Sequence, residues 1–338
     1  MAQVKVMPFE RTIVCEEGQS VLQAALGQGY YLRYGCKHGG CGTCKALLVD
    51  GDVVDGSSSF ALASSERVKG WILVCSSRPT EDCVLDISSM ELTEDEFLAG
   101  DRVEVFETTL VRRELLTPTI CGLTLRLSEP SSIRFTAGQF VNVEIPDSTV
   151  VRAFSFANAP GSGGEIELIV RLIPDGRFGH YLTMRGELGD RIRVYGPLGS
   201  LRMRPSYRKI VMVAGGTGLA PILSMLGDVA EKGSDREMVC FVGARTCSEL
   251  YFLERLEAMR ATLPGLEIIP VAEQPENGWK GERGRVTEAI PRRRSSLKGY
   301  DAYICGPGPM VDAARSAVVA LGVREKNIYF DAFVPTGE

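Results

Sequence analysis

The sequence predicts a multidomain chain: a small domain of short strands and one helix, an antiparallel β-barrel, and a doubly wound α/β domain. Three observations predict it. Residues 34–46, "YGCKHGGCGTCKA", crowd three cysteines and four glycines into thirteen positions between short apolar segments. Further along, apolar runs recur at regular intervals with Gly, Pro and Ser between them. From Lys209 the pattern changes to apolar strand, glycine turn and helix.

The chain has 338 residues, which suits two or three domains. Apolar residues make up 44% and charged residues 24%, the balance of an ordinary globular protein. No run approaches the roughly 18–20 apolar residues of a membrane span, so no membrane association is expected. "MAQVKVMPFERTIVCEEG" lacks a long apolar segment, and the expected location is cytoplasmic. A net charge of −5 argues against broad nucleic-acid binding. That charge is concentrated in residues 1–98, which hold 8 Lys/Arg against 14 Asp/Glu and leave 30 against 29 for the rest.

Ten cysteines without an export signal read as ligands or buried thiols rather than a disulfide framework. Cys36, Cys41 and Cys44 are spaced C-x4-C-x2-C, and Cys75 follows in "WILVCSS". This is the ligand spacing of a plant-type 2Fe–2S cluster. Four thiolates and two sulfides make an anionic centre, and the glycines let backbone N–H groups turn towards it. Zinc sites instead use two short C-x2–4-C knuckles, so zinc is disfavoured, and His38 reads as a solvent-facing side chain. "QVKVMPFERTIVC" reads as two strands, "SVLQAALGQG" as a helix ending at glycine, and "KALLVDGDV" as strand and turn. Over residues 1–92 the chain resembles the plant-type ferredoxin family, which implies a β-grasp 2Fe–2S domain. The polar, acidic segment 88–101 reads as a linker.

The second domain, 100–203, carries "VRAFSFANAP" and "VRLIPDGRFGHYL". In the latter a glycine turn opens a helix, and a helix start suits a phosphate. The region resembles the flavin domain of the ferredoxin–NADP reductase superfamily, an antiparallel β-barrel marked by R-x-Y-[ST]. The resemblance implies that Arg152 pairs with FAD phosphates, Phe154 packs on the ring or ribityl chain, and Ser155 hydrogen-bonds near flavin N5. It also assigns ring and pyrophosphate support to Val170, Arg171, Leu172, Gly176, Arg177 and Phe178. Two departures stand out: Phe154 replaces the usual tyrosine, and Gly179 stands where Ser or Thr often donates to phosphate.

The third domain, 204–338, begins with "KIVMVAGGTGLAPILSML", whose strand is apolar throughout, as in a parallel sheet covered on both faces. "GGTGLAP" and "CGPGPM" resemble the two nicotinamide-domain signatures of the same superfamily. By that match Gly216, Thr217 and Gly218 receive the dinucleotide pyrophosphate, while Cys305, Gly306 and Pro307 approach the nicotinamide. Near the end of the second strand stands Arg245, with no further basic residue in its loop, so NADH is expected over NADPH. In this superfamily a C-terminal aromatic covers the flavin; Phe333 is the first candidate and Phe330 the second.

This domain order resembles the reductase components of bacterial multicomponent oxygenases. The resemblance implies an NADH-dependent oxidoreductase in which FAD links a pairwise electron donor to a one-electron cluster. The implied partner is a separate oxygenase, with a diiron monooxygenase of hydrocarbons or phenols favoured over a Rieske-type dioxygenase. The acidic first domain would dock it. A redox-sensing iron–sulfur flavoprotein without steady turnover is the alternative from another class.

Overall fold

The computed structural model describes residues 1–34, 39, 42–56, 61–98, 104–146, 148, 150–174, 176–199 and 201–333. They fall into two compact units, Met1–Val103 and Glu104–Glu338. No helix among the described residues is long and apolar enough to cross a membrane.

The first unit is built on a five-stranded mixed sheet. Its strands are β1 (Ala2–Met7), β2 (Arg11–Cys15), β3 (Lys45–Asp50), β5 (Trp71–Leu73) and β7 (Cys83–Asp86). They lie in the order β2-β1-β7-β3-β5, and β4 (Val53–Val54) pairs with β6 (Arg78–Pro79) apart from them. β1 alternates buried and exposed residues, as a strand with one wet face should. Helix α1 (Val21–Gly27) starts where expected, because Ser20 and Gln23 form a capping box. A short helix α2 (Ser64–Arg67) precedes β5.

The segment expected to be a linker is folded. Helix α3 (Glu94–Leu98) sits within it, and Phe97 is fully buried between Phe9 and Tyr30, with ring centroids 5.0 and 5.1 Å away. The Phe97 carbonyl also accepts the Tyr31 amide at 2.8 Å. Acidic composition hid one apolar anchor and a cap: the Thr93 hydroxyl accepts the Glu96 N–H, and the Glu96 carboxylate accepts the Thr93 N–H.

The second unit begins with six antiparallel strands: β8 (Glu104–Thr117), β9 (Ile120–Glu129), β10 (Phe140–Glu144), β11 (Val151–Ser155), β12 (Glu165–Arg171) and β13 (Arg191–Leu198). Their order is β11-β10-β13-β8-β9-β12. The open ends meet through a bridge between Phe156 and Leu168, with the Ala157 amide donating to Glu167 at 2.8 Å, so the sheet closes into a barrel. Helix α4 (Arg177–Met184) follows β12.

The remaining sheet is wholly parallel. It contains β14 (Lys209–Gly215), β15 (Met238–Ala244), β16 (Leu266–Ala272), β17 (Glu282–Arg283), β18 (Tyr300–Pro307) and β19 (Ile328–Phe333), ordered β17-β16-β15-β14-β18-β19. Helices α5 (Leu219–Lys232), α6 (Leu253–Met259), α7 (Val286–Arg293) and α8 (Gly308–Ala320) form its crossovers. Barrel residues Ile120, Ala137, Ala157 and Ile169 join α5 and β14 in one apolar core. Barrel and α/β domain therefore share a packed seam inside a single unit.

Candidate functional site

The sequence marks three places, and the structure builds each differently. In the first unit, Cys44 and Cys75 are buried and carry no disulfide. The Val74 amide donates to the Cys44 carbonyl at 3.1 Å, which joins the two cysteine segments directly. Cys75 sits in a turn where the amides of Ser76 and Ser77 both donate to the Leu73 carbonyl at 2.9 Å. Gly42 has φ +72°, a conformation glycine adopts freely. Cys36 and Cys41 lie outside the described residues. Cys15 and Cys83 pack as apolar residues; burial pushes the Cys15 thiol up to about 11 and the Cys83 thiol upward too.

The second place lies at one end of the barrel. β11 carries Arg152, Phe154 and Ser155, and α4 begins at Arg177 after Gly176. The rings of Phe154 and Phe178 meet at 5.0 Å, so strand and helix start come together. The N-cap of α4 is Gly176, which makes no side-chain capping hydrogen bond to the first turn. The Arg152 guanidinium donates to the Val151 carbonyl at 3.1 Å, and Ser155 is buried. Val170 points into the barrel core and Leu172 packs against it, so towards a ligand Val170 offers its backbone. The Leu172 amide is held by the Thr119 carbonyl at 2.8 Å.

Arg171 behaves differently. A Cβ built on Gly216 would lie 2.5 Å from its Nη2, so the guanidinium rests on the glycine turn of the α/β domain. Tyr251 shares that turn, its hydroxyl donating to the Gly216 carbonyl at 2.8 Å.

The third place is where two turns of the parallel sheet press together. A Cβ on Gly218 would fall 2.6 Å from the Gly306 nitrogen and closer still to the Cys305 carbonyl. Met310 of α8 covers both turns, touching the positions a Cβ would take on Gly215 and Gly306. Thr217 completes the turn between Gly216 and Gly218. Cys305 departs from expectation: its thiol is fully buried in the seam core, and burial pushes its pKa well up. Only its backbone borders the turn.

β19 separates the two candidate phenylalanines. Tyr329 faces the seam core, while Ile328, Phe330 and Ala332 pack on the opposite core. Alternation therefore puts Phe333 on the seam face, paired with Pro307. Phe330 lies under Arg315, with 4.3 Å from the guanidinium carbon to the ring centroid.

Three family models match the chain: a 2Fe-2S iron-sulfur cluster binding domain at 4–80, an oxidoreductase FAD-binding domain at 107–203, and an oxidoreductase NAD-binding domain at 212–316. The phenol hydroxylase P5 protein of Acinetobacter pittii (strain PHEA-2) is 36% identical, covering 99% of this chain and 95% of its own. The propane 2-monooxygenase reductase component of Mycolicibacterium goodii is 31% identical, covering 98% and 97%. The chain belongs to the oxygenase reductase-component family. Among solved structures, the Amycolatopsis cytochrome P450 reductase GcoB has a TM-score of 0.81 and 29% identity, with 99% of both chains covered.

The reductase is an iron–sulfur flavoprotein oxidoreductase with a nicotinamide-binding domain. Its residues fit those groups: the buried thiols of Cys44 and Cys75, a helix that starts at a glycine N-cap, and glycine turns that a Cβ would fill. Sequence reasoning missed Tyr251 and the ion pair between Arg255 of α6 and Glu167 of β12, 2.7 Å across the seam. No local pattern announces either, since each is defined by a partner far along the chain.

Proposed function

We propose that this reductase takes electrons from NADH and hands them singly to a separate diiron monooxygenase acting on phenols or hydrocarbons. The observation that carries the reading is the fusion of all three domains in one chain, along with full-length similarity to reductase components of phenol and propane monooxygenases. When bound, FAD exchanges electrons in pairs or singly, and the 2Fe–2S cluster carries one at a time.

Cys36, Cys41, Cys44 and Cys75 serve as the thiolate ligands. Arg152 and the amides after Gly176, at Arg177 and Phe178, hold the flavin diphosphate by charge and hydrogen bonding. Phe154 supplies an apolar wall and Ser155 a hydroxyl donor. Val170 and Leu172 contribute backbone groups. Gly216, Thr217 and Gly218 admit the nicotinamide dinucleotide diphosphate close to the backbone. Arg171, resting on Gly216, supplies the cation there. Cys305, Gly306 and Pro307 shape the nicotinamide end through their backbone, and Phe333 excludes water from it. No general base is required.

NADH is favoured over NADPH because Glu249 folds back over the turn after β15, its carboxylate accepting the Arg245 amide at 3.2 Å. A carboxylate there repels a 2′-phosphate. The acidic first domain, 14 Asp/Glu against 8 Lys/Arg over residues 1–98, steers docking onto a basic oxygenase surface.

The test is turnover with a purified diiron hydroxylase. NADH-dependent substrate oxidation is expected, slowing as salt rises, and Cys75→Ser should abolish it while NADH still bleaches the flavin. Loss of flavin bleaching in Cys75→Ser, or oxidation that ignores the substitution, would overturn the relay.

A further inference from the structure

Adjacent residues of opposite charge on helix α2 reach the two cysteine segments, Glu66 directly at Lys45 and Arg67 through Asp55. Lys45, next to Cys44, places Nζ 2.7 and 2.8 Å from the two Glu66 carboxylate oxygens. The same carboxylate accepts the Ala63 amide at 2.9 Å, which fixes it on the helix start. The following residue, Arg67, pairs with Asp55. The other Asp55 oxygen accepts the Ser77 hydroxyl at 2.9 Å. Ser77 is fully buried two residues past Cys75, and its carbonyl accepts the Val21 amide at 3.2 Å, anchoring that turn on α1. Just before α2, the Ala61 amide donates to the Gly39 carbonyl at 3.0 Å, inside the cysteine loop.

We propose that Glu66 and Arg67 are positioning residues for the iron–sulfur cluster. Glu66 holds the Lys45 charge in place beside Cys44, and the chain Arg67–Asp55–Ser77 fixes the turn that presents Cys75. This rests on the reading that the four cysteines ligate the cluster. The two arms do different work. The four side chains of the two ion pairs are between 26 and 39% exposed, so neither pair contributes much to folding. Groups supporting metal ligands nonetheless commonly change metal retention by roughly 10–100-fold. Neutralising Glu66 leaves the Lys45 ammonium without its counter-charge near the cluster. Positive charge stabilises the reduced, more negative centre, so the midpoint potential rises. Releasing Arg67 instead loosens the Cys75 turn and speeds loss of iron.

The experiment uses the full-length holoprotein. Cluster absorbance is followed under excess iron chelator, and the cluster potential is measured by anaerobic titration. Arg67→Gln and Asp55→Asn are each expected to shorten cluster half-life about tenfold, the double variant no further than either single one. Arg67→Lys should recover most of the loss. Glu66→Gln should raise the midpoint potential, a readout that a merely structural role leaves unmoved. If Arg67→Gln fails to fold, Ser77→Ala carries the same arm with the same expected direction. Wild-type half-lives and potential in these variants, or additive effects in the double variant, would overturn the positioning roles of Glu66 and Arg67. Wild-type protein that binds no iron would instead overturn the ligand reading beneath it.

Discussion

Gly218→Ala isolates the tightest contact of the nicotinamide site. Gly218 has φ −62°, which alanine adopts without strain, so the substitution adds volume and little else. The new Cβ would lie 2.6 Å from the Gly306 nitrogen, with the Cys305 carbonyl nearer still. Heavy atoms in contact need ~3.5 Å, and all three neighbours are backbone, so the two turns must part by about 1 Å. Overpacking of this kind costs about 1–3 kcal/mol in stability. A 1 Å displacement of positioning groups costs about 10²-fold in rate, equivalent to ~2.7 kcal/mol. Steady-state reduction of an artificial acceptor should show kcat/KM for NADH falling by about that factor. Gly308→Ala, where a built Cβ meets nothing within 4 Å, should leave stability at or up to ~1 kcal/mol above wild type. Near-wild-type kinetics in Gly218→Ala would refute the account of the paired turns.

Phe330→Ala should lower thermal stability by about 2 kcal/mol with little change in KM for NADH, because Phe330 packs under Arg315 away from the seam. Phe333→Ala should do the reverse, altering KM and the flavin absorbance envelope; matching profiles for the two would contradict the face assignment. Glu249→Gln should raise the NADPH-to-NADH ratio of kcat/KM by roughly tenfold through lost repulsion, and an unchanged ratio would clear Glu249 of that role. The Asp190 carboxyl is held below the usual carboxylate range by the Tyr181 hydroxyl and the Glu187 amide, both donating to it. Its contribution is therefore present above its unfolded pKa of ~3.9 and is lost as pH falls through the lower folded value. Asp190→Asn should flatten the acid limb of thermal stability below about pH 4, and an unaltered limb would rule that contribution out.

Much of this was legible in the residues. The short strands of "QVKVMPFERTIVC", the helix of "SVLQAALGQG" and the unbroken apolar run of β14 each reflect local physics, and each forms the element expected. What escaped depends on distant partners. Helix α3 was hidden because a single buried Phe97 outweighs its acidic neighbours once Phe9 and Tyr30 close over it. The inward thiol of Cys305 was unreadable because β18 is buried on both faces, which erases the period-two signal. Which face Phe330 and Phe333 occupy is set only when β19 pairs with β18. The family resemblance implies a flavin contact for Arg171, and its guanidinium reaches Gly216 in the next domain, a contact the sequence did not show.

The central claim is that electrons entering as a pair leave singly through sulfur-bound iron. The visible spectrum of the natively purified protein, before and after anaerobic NADH, tests it most directly. Superimposed flavin and iron–sulfur bands that both bleach are the predicted result. A colourless protein holding zinc, or a flavin that bleaches while the iron–sulfur bands persist, would contradict it.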